Sequence, residues 1–362
     1  MKKHLVSLIM GIWIWALSSA FAMETSDEEK KTSFRTWSFL TEEEVVEIIA
    51  PAAAPTSQKQ IDRGLEVIKE NGLVAYLAEG AIKQEDSYYE YYANSDEKRA
   101  RYFIEALQGK VKALWAVRGG FGCAEDIDIL ESSSFILPDQ PKLIIGCSDI
   151  TALHLLADTW GWISLHASVF GFNKELFPVT GVNVNKNAEL QSVFRILTGK
   201  DKKVTYPVKV LHPGAIPSKH TISGSVMGGN LSIIVSHNGT PTALRGEDRF
   251  ILLEDTLEDK KRFNRNLLSL KRAGVFKKAK GIIFGNIPLT EHGDSQKETE
   301  EAIMRFVNGS LKRINIPVVY SNRFGHGEYN DPLPLGTKAL LTIDGENATL
   351  TPTLDKKGNM VG

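Results

Sequence analysis

Ser148 stands where a serine side chain could act as a nucleophile. It follows the apolar run 143–145 and Gly146, and a helical pattern begins directly after it. A strand that ends in a sharp turn before a helix lifts one hydroxyl above the sheet edge and aims the helix N–H groups at it. The alternative is a helix N-cap, because serine is a preferred capping residue. Cys147 is a second candidate nucleophile, but the strand–turn–helix interpretation puts Ser148 at the apex.

A glycine-rich run, residues 118–122, follows the strand predicted before that turn. We call it the glycine loop. Its backbone N–H groups could line an oxyanion hole, which a hydrolase needs because the tetrahedral intermediate carries negative charge on the former carbonyl oxygen. A plain turn that requires positive φ is the alternative. A phosphate-binding loop is disfavoured, because the spacing is not G-x-G-x-x-G and no P-loop lysine follows.

A serine nucleophile needs a base, and the base needs an orienting carboxylate. Among the eight histidines, His326 lies between two glycines just after a predicted strand, where a side chain can project into a cleft or simply sit in a loop. Glu254 ends an Ile-Leu-Leu run, and an acid there must have a specific partner. It could instead cap the next helix, and Asp255 competes for both roles. His166 is predicted to be packed.

The elements that must position these residues alternate between strand and helix in the first half. This alternation predicts a parallel α/β sheet, in which ligands bind beyond the carboxyl ends of the strands. The glycine loop and Ser148 would then meet at neighbouring strand ends. The predicted strands are 45–51, 73–76, 113–117 and 143–145, and the predicted helices are 61–71 and 95–107.

A chain of 362 residues is too long for one core of ordinary size, so two domains are expected. Prolines interrupt the pattern after about residue 175, where a linker would lie. The predicted division is a flexible lead-in at 23–40, an N-terminal domain at 41–180, a linker at 181–205 and a C-terminal domain at 206–362. The second domain would contain strands at 249–255, 281–285 and 317–320, a helix at 259–272 and a hairpin at 339–351.

The first 22 residues are predicted to be a secretory signal peptide. Basic residues precede the apolar run 5–17, and Ala20 and Ala22 form an A-x-A cleavage signature. The apolar run is shorter than the roughly 20 residues of a membrane span, although an uncleaved anchor is the alternative. The mature chain from Met23 would then be periplasmic or secreted, with no stable membrane insertion.

Charge and cysteine content restrict the classes of partner and cofactor. The net charge of −1 and the pI of about 6.7 do not point to a nucleic-acid partner. No His/Cys cluster has zinc-ligand spacing, so neither a metal nor another cofactor is predicted. Cys123 and Cys147 could pair in an oxidising periplasm or could be two small buried residues.

Taken together, five ordered motifs resemble the LD-carboxypeptidases, the muramoyl-tetrapeptide carboxypeptidases that also include the microcin C self-immunity peptidases. The resemblance extends from about Val45 to about Thr351. The motifs are residues 118–122, 146–149, 228–231, 253–255 and 324–326.

This resemblance implies a Ser-His-Glu triad divided between two domains. Ser148 would be the nucleophile, His326 the general base and Glu254 its orienting carboxylate. The oxyanion hole would consist of backbone N–H groups of Gly119, Gly120 and Asp149. The implied fold is an N-terminal Rossmann-like α/β domain followed by a C-terminal domain of mixed, barrel-like strands, and the implied assembly is a homodimer.

The implied reaction is removal of the terminal D-alanine from murein tetrapeptides during peptidoglycan turnover or recycling. Candidate substrate-binding residues are Arg118, Asn230 and Arg323, with exposed backbone N–H groups as an alternative for the terminal carboxylate. Two features depart from the family: the acidic segment 123–128, where the family often has an arginine, and the signal peptide. The alternatives are a related peptidase or amidase for another acyl-amide, such as a peptide-nucleotide antibiotic, and a non-enzymatic periplasmic binding protein.

Overall fold

Two β-structures organise the chain, a six-stranded sheet and a closed barrel. The computed structural model describes residues 36–55, 57–82, 92–170, 186–201, 203–256, 258–287, 296–311, 315–327 and 329–353. The predicted signal peptide lies outside these residues. Within the described part of the chain, no helix has the length and apolar character to cross a membrane.

The strands are, in chain order, β1 (Val45–Ile49), β2 (Val74–Leu77), β3 (Ala113–Ala116), β4 (Leu143–Gly146), β5 (Ser164–His166), β6 (Tyr206–His212), β7 (Lys219–Asn230), β8 (Arg249–Glu254), β9 (Gly281–Asn286), β10 (Val318–Gly325), β11 (Leu333–Leu335), β12 (Lys338–Asp344) and β13 (Asn347–Pro352). The helices are α1 (Gln58–Glu70), α2 (Asp96–Gln108), α3 (Cys123–Ser132), α4 (Thr151–Thr159), α5 (Lys186–Leu197), α6 (Leu231–Ser236), α7 (Lys260–Arg272) and α8 (Gln296–Gly309). A short 3-10 turn spans Ser148–Ile150.

The sheet has the strand order β11-β5-β4-β3-β1-β2 and is parallel except for β11. Strands β3 and β4 are buried at every position, as expected for central parallel strands covered on both faces. Successive side chains point to opposite faces. Trp115 and Ile145 belong to one core cluster, and Leu114 and Ile144 belong to the other.

The barrel closes in the order β10-β6-β13-β12-β7-β8-β9. Strands β7 to β10 are parallel neighbours, so their carboxyl ends gather at one rim, and the remaining pairs are antiparallel. Strand β12 alternates strictly between exposed and buried residues, as a strand with one face on a core should. The predicted parallel sheet and barrel-like second part are both confirmed.

Strand β11 connects the two β-structures. It follows β10 in the chain, yet it pairs with β5 at the edge of the sheet. Its Leu333 and Leu335 pack into the core of the barrel. Residues Arg35–Gly362 accordingly form one compact unit.

Helix α5 lies in the segment predicted as a linker. Its Val193, Phe194, Ile196 and Leu197 are buried in the core of the sheet, beside Trp115. The predicted division into domains stays a prediction. Cys123 and Cys147 are both free and buried.

Candidate active site

Ser148 lies on a strained turn at the carboxyl end of β4. Its φ is +62°, a value that a non-glycine residue adopts at a cost of about 1–3 kcal/mol. Cys147 before it is extended and forms the N-cap of the 3-10 turn, and Ile150 forms the N-cap of α4. Ser148 is therefore not the capping residue, and the geometry is that of a nucleophile elbow.

The glycine loop lies directly against Ser148. A Cβ added to Gly119 would lie 2.8 Å from the Cβ and 3.2 Å from the Oγ of Ser148, so only glycine permits this approach. Gly120 has a φ of +118°, which also favours glycine. Within the described residues, the N–H groups of Gly119 and Gly120 have no hydrogen-bond partner. They are available to an oxyanion formed at Ser148.

The peptide between the two glycines has a defined orientation. The N–H of Ala53 donates to the carbonyl oxygen of Gly119 at 3.1 Å. Because the C=O and N–H of a trans peptide point in opposite directions, the N–H of Gly120 points away from Ala53. The turn after β1 therefore holds the donor in place before substrate binds.

A buried ionic network supports the loop from behind. Arg99 of α2 is fully buried; it forms ion pairs with Glu125 at 2.8 Å and with Asp126 at 3.3 Å, and it donates to the carbonyl oxygen of Gly122 at 3.4 Å. The acidic segment after the loop thus has an internal cation as its partner. Arg99 was not predicted from the sequence, because the acids that it contacts lie far from it in the chain.

The side chain of Asp149 also holds the loop. Its Oδ2 accepts the N–H of Cys123 at 2.9 Å, at the N-terminus of α3. Burial raises the pKa of Asp149, while the bond from Cys123 and the charge of Arg99 oppose that rise. Asp149 therefore joins the Ser148 turn, through its side chain, to the residue that directly follows the glycine loop, in addition to the oxyanion role predicted for its backbone.

Glu254 and His326 meet at the rim of the barrel. Glu254 ends β8, and His326 follows β10, two strands away across β9. Nδ1 of His326 donates to Oε2 of Glu254 at 2.7 Å. Gly325 makes this possible, because a Cβ there would lie 2.7 Å from both Cβ and Oε2 of Glu254.

Glu254 is ionised in spite of complete burial. Burial alone would raise the pKa of Glu254, but the contacts with His326 and His166 outweigh it and lower the pKa to about 2. An ionised Glu254 accepts the proton on Nδ1 of His326, which leaves Nε2 of the neutral ring able to accept a proton. This is the tautomer that a serine hydrolase needs.

His166 is a second histidine on the same carboxylate. Its Nε2 lies 3.4 Å from Oε1 of Glu254, and both side chains are fully buried. His166 ends β5, opposite Gly146 of β4. From the sequence, His166 was predicted only to be packed. Its place at the end of a strand beside β4 was the signal that could have identified it as a neighbour of the site.

Asn230 and Asp255 form a separate cluster near Glu254. The amide of Asn230 accepts from the N–H of Ile233 at 3.2 Å and donates to Asp255 at 2.9 Å. Asp255 also accepts from the backbone and the hydroxyl of Ser232. Asp255 thus orders the start of α6 and does not orient His326, so the choice between the two acids falls on Glu254.

The two candidate arginines have different surroundings. Arg323 forms a two-point ion pair with Asp331, at 2.6 and 2.9 Å, and stacks on Tyr329. Arg118 donates to the carbonyl oxygen of Ala54 at 2.9 Å and has no carboxylate partner within the described ranges. Burial lowers the pKa of Arg118. It directly precedes Gly119, beside Ser148.

A strained serine beside a glycine loop and a histidine paired with a carboxylate are features that a serine peptidase needs, and comparison with known proteins shows the family of the chain. The pattern of the LD-carboxypeptidase N-terminal domain matches residues 46–167, and that of the C-terminal domain matches residues 223–341. The chain belongs to the LD-carboxypeptidase family, and it is a serine-type carboxypeptidase.

Relatives with similar sequences carry the same kind of name. A putative carboxypeptidase of Rickettsia conorii is 34% identical over 68% of this chain and 73% of its own length. The murein tetrapeptide carboxypeptidase of Pseudomonas aeruginosa is 26% identical over 82% of this chain and 92% of its own.

Solved structures share the fold. The muramoyltetrapeptide carboxypeptidase from Oxalobacter formigenes superposes with a TM-score of 0.66 at 24% identity, over 85% of this chain and 98% of that one. An MccF-like protein from Bacillus anthracis superposes with a TM-score of 0.68 at 20% identity, over 87% and 98%.

Proposed function

We propose that this carboxypeptidase removes the terminal D-alanine of murein tetrapeptides with Ser148 as nucleophile, His326 as base and Glu254 as orienting carboxylate. The observation that carries the proposal is the hydrogen bond from the partly exposed His326 to the buried Glu254, in a chain whose Ser148 occupies a strained elbow. The names of the murein tetrapeptide carboxypeptidase relatives support the choice of substrate.

The reaction is an acyl transfer. Nε2 of His326 takes the proton of Ser148 while Oγ attacks the carbonyl carbon that joins the L-centre of the diamino acid to D-alanine. Glu254 stabilises the imidazolium that forms. The imidazolium then protonates the leaving nitrogen, D-alanine departs, and water attacks the acyl-enzyme with His326 again as base.

Backbone donors stabilise the intermediate. The proposed donors are the N–H groups of Gly119, Gly120 and Asp149, and each preorganised donor of this kind contributes about 3–4 kcal/mol in known hydrolases. The bond from Ala53 to the oxygen of Gly119 sets the orientation of the Gly120 N–H before binding, and the bond from Cys123 holds the side chain of Asp149. The Gly120 donor therefore needs no reorganisation during the reaction.

The proposed activity is tested by mass spectrometry of the purified protein with a murein tetrapeptide. We expect the loss of one alanine and no further shortening. The matched control is the same peptide ending in L-alanine, which we expect to stay intact. Cleavage of a peptide-nucleotide conjugate without cleavage of either tetrapeptide would contradict the proposed substrate.

Arg118 is our candidate for the terminal carboxylate, because the charge of Arg323 already has Asp331 as its partner. We expect Arg118→Gln to raise KM about 10- to 100-fold, the range for a lost hydrogen bond between charged groups, with a smaller change in kcat. The measurement is steady-state kinetics on the tetrapeptide and on its C-terminal amide.

Arg323→Gln is the control for this variant. It should leave the preference for the free acid over the amide unchanged, whereas Arg118→Gln should reduce that preference. An equal loss on both substrates in Arg118→Gln would show that Arg118 does not bind the carboxylate.

Export and dimerisation complete the proposal. The basic start, short apolar run and A-x-A signature of residues 1–22 support secretion to the periplasm or beyond. Intact mass of the exported protein should correspond to a chain that begins at Met23.

The family resemblance supports a homodimer, and light scattering after size-exclusion chromatography should give twice the mass of the mature chain.

A further inference from the structure

The carboxylate of Glu254 is fully buried, and its two oxygens contact two different histidines. Oε2 accepts a hydrogen bond from His326. Among the side chains of the described residues, Oε1 contacts that of His166. A buried carboxylate is stable as an anion only when its oxygens are hydrogen-bonded. The triad accounts for one oxygen, so the donor to the other remains to be explained.

The protonation of His166 follows from its surroundings. Glu254 is ionised, so Nε2 of His166 must carry the proton in their contact. Nδ1 of His166 is buried and has no hydrogen-bond partner in the part of the chain that is described. The ring is therefore held through Nε2 and not through Nδ1. His166 therefore donates to Glu254 through Nε2.

His166 is held by the strand that carries the nucleophile. It lies opposite Gly146 in the β5–β4 register, and the N–H of the next residue, Ala167, donates to the oxygen of Gly146 at 3.0 Å. Nε2 of His154 donates to the same oxygen at 3.0 Å. The backbone of His166 is thus fixed beside Gly146, at the end of the strand before Ser148. Its ring contacts Glu254 at the rim of the barrel.

We propose that His166 is a positioning residue that holds Glu254 for His326 and connects the acid to the strand of Ser148. The inference rests on the proposed roles of Glu254 and His326. Its effect is smaller than that of a triad member, because the 3.4 Å contact is long. We expect loss of the contact to lower kcat/KM about tenfold.

The contact also sets the proton affinity of the Glu254–His326 pair. A donor to a carboxylate favours its charged form, so its removal makes the pair hold its extra proton to a higher pH. Activity needs His326 neutral and Glu254 ionised. The acid limb of kcat/KM against pH should therefore move upward, by about half a unit to one unit.

Two other titratable groups lie close to this cluster. Asp255 follows Glu254 in the chain, and burial raises the pKa of its carboxyl. The ring of His154 has its centroid 6.3 Å from that of His166, and burial lowers the pKa of His154 to about 3. The charge of Glu254 also raises the pKa of Asp255, but both groups are unchanged in the His166 variants, so neither should account for a difference between them.

The test compares two variants of His166 whose side-chain amides differ in length. The amide nitrogen of His166→Gln can occupy the place of Nε2, whereas that of His166→Asn ends near the place of Nδ1 and cannot reach Glu254. We expect His166→Asn to lower kcat/KM and to move the acid limb upward, and His166→Gln to restore both. His154→Leu is the comparison variant: it removes a donor to the oxygen of Gly146 but keeps the His166–Glu254 contact, so the acid limb should move less than in His166→Asn.

The same shift is measured without substrate by NMR titration of the His326 ring, assigned by its loss in His326→Asn. This readout separates the two proposals, because an inactive wild type would refute the substrate while the titration still tests His166. Equal acid limbs and equal titration midpoints in the Asn and Gln variants would overturn the role of His166. An equal shift in His154→Leu would also overturn it.

Discussion

Replacement of Ser148 by alanine should lower kcat on the tetrapeptide by about 10⁵- to 10⁶-fold, because without Oγ no acyl-enzyme forms and only the oxyanion hole and substrate binding remain. Single-turnover assays on the purified variant would measure the loss. The peptide should still bind, since Oγ is not proposed to hold the ground state.

Two further variants sharpen this prediction. Cys147→Ala changes the neighbouring buried residue and should keep kcat within about threefold, because mild truncations away from the reacting atoms cost little. Ser148→Gly should be as inactive as the alanine variant but more stable by about 1 kcal/mol, since glycine adopts φ +62° without strain. Retention of even one hundredth of the activity in Ser148→Ala would point to another nucleophile.

The second large effect should come from Glu254→Gln, with a loss of about 10⁴-fold in kcat. The amide of glutamine can donate to Nδ1 of His326, which then carries its proton on Nε2 and cannot act as a base. The amide also no longer stabilises the imidazolium. Steady-state kinetics and circular dichroism of the folded variant would establish the loss.

Asp255→Asn is the matched control for Glu254→Gln. Asp255 is the adjacent buried acid, but its contacts are with Asn230, Ser232 and the start of α6. We expect this variant to lose stability and to retain far more of kcat than Glu254→Gln. Comparable losses of kcat in the two variants would mean that burial of charge at this rim, and not orientation of His326, controls the reaction.

Local patterns were sufficient to identify the residues that end buried strands. Ser148 follows a continuous apolar run, Glu254 ends one, and His326 lies between two glycines directly after a strand. Each has a chemistry that stands out against its neighbours in the sequence. The parallel sheet follows from the same alternation, because strand and helix periods are readable over five to fifteen residues.

Contacts between distant elements were not readable in this way. His166 and Glu254 are 88 residues apart, and Arg99 and Glu125 are 26 apart on different helices. Such contacts depend on how elements pack, which no local period encodes. Likewise, the residue type of Arg323 suits a substrate carboxylate, but Asp331 reaches it only once the loop after β10 has folded.

Strand β11 has a consequence for how such an enzyme can be built and changed. The segment after His326 returns to complete the edge of the sheet that carries Ser148, with its leucines in the barrel. The strand ends that carry Ser148, Glu254 and His326 thereby belong to one compact unit and are not separate modules joined by a hinge. A fragment that ends before residue 333 would leave β5 as a bare sheet edge, a template for aggregation, so neither half can be expected to persist as a soluble module on its own.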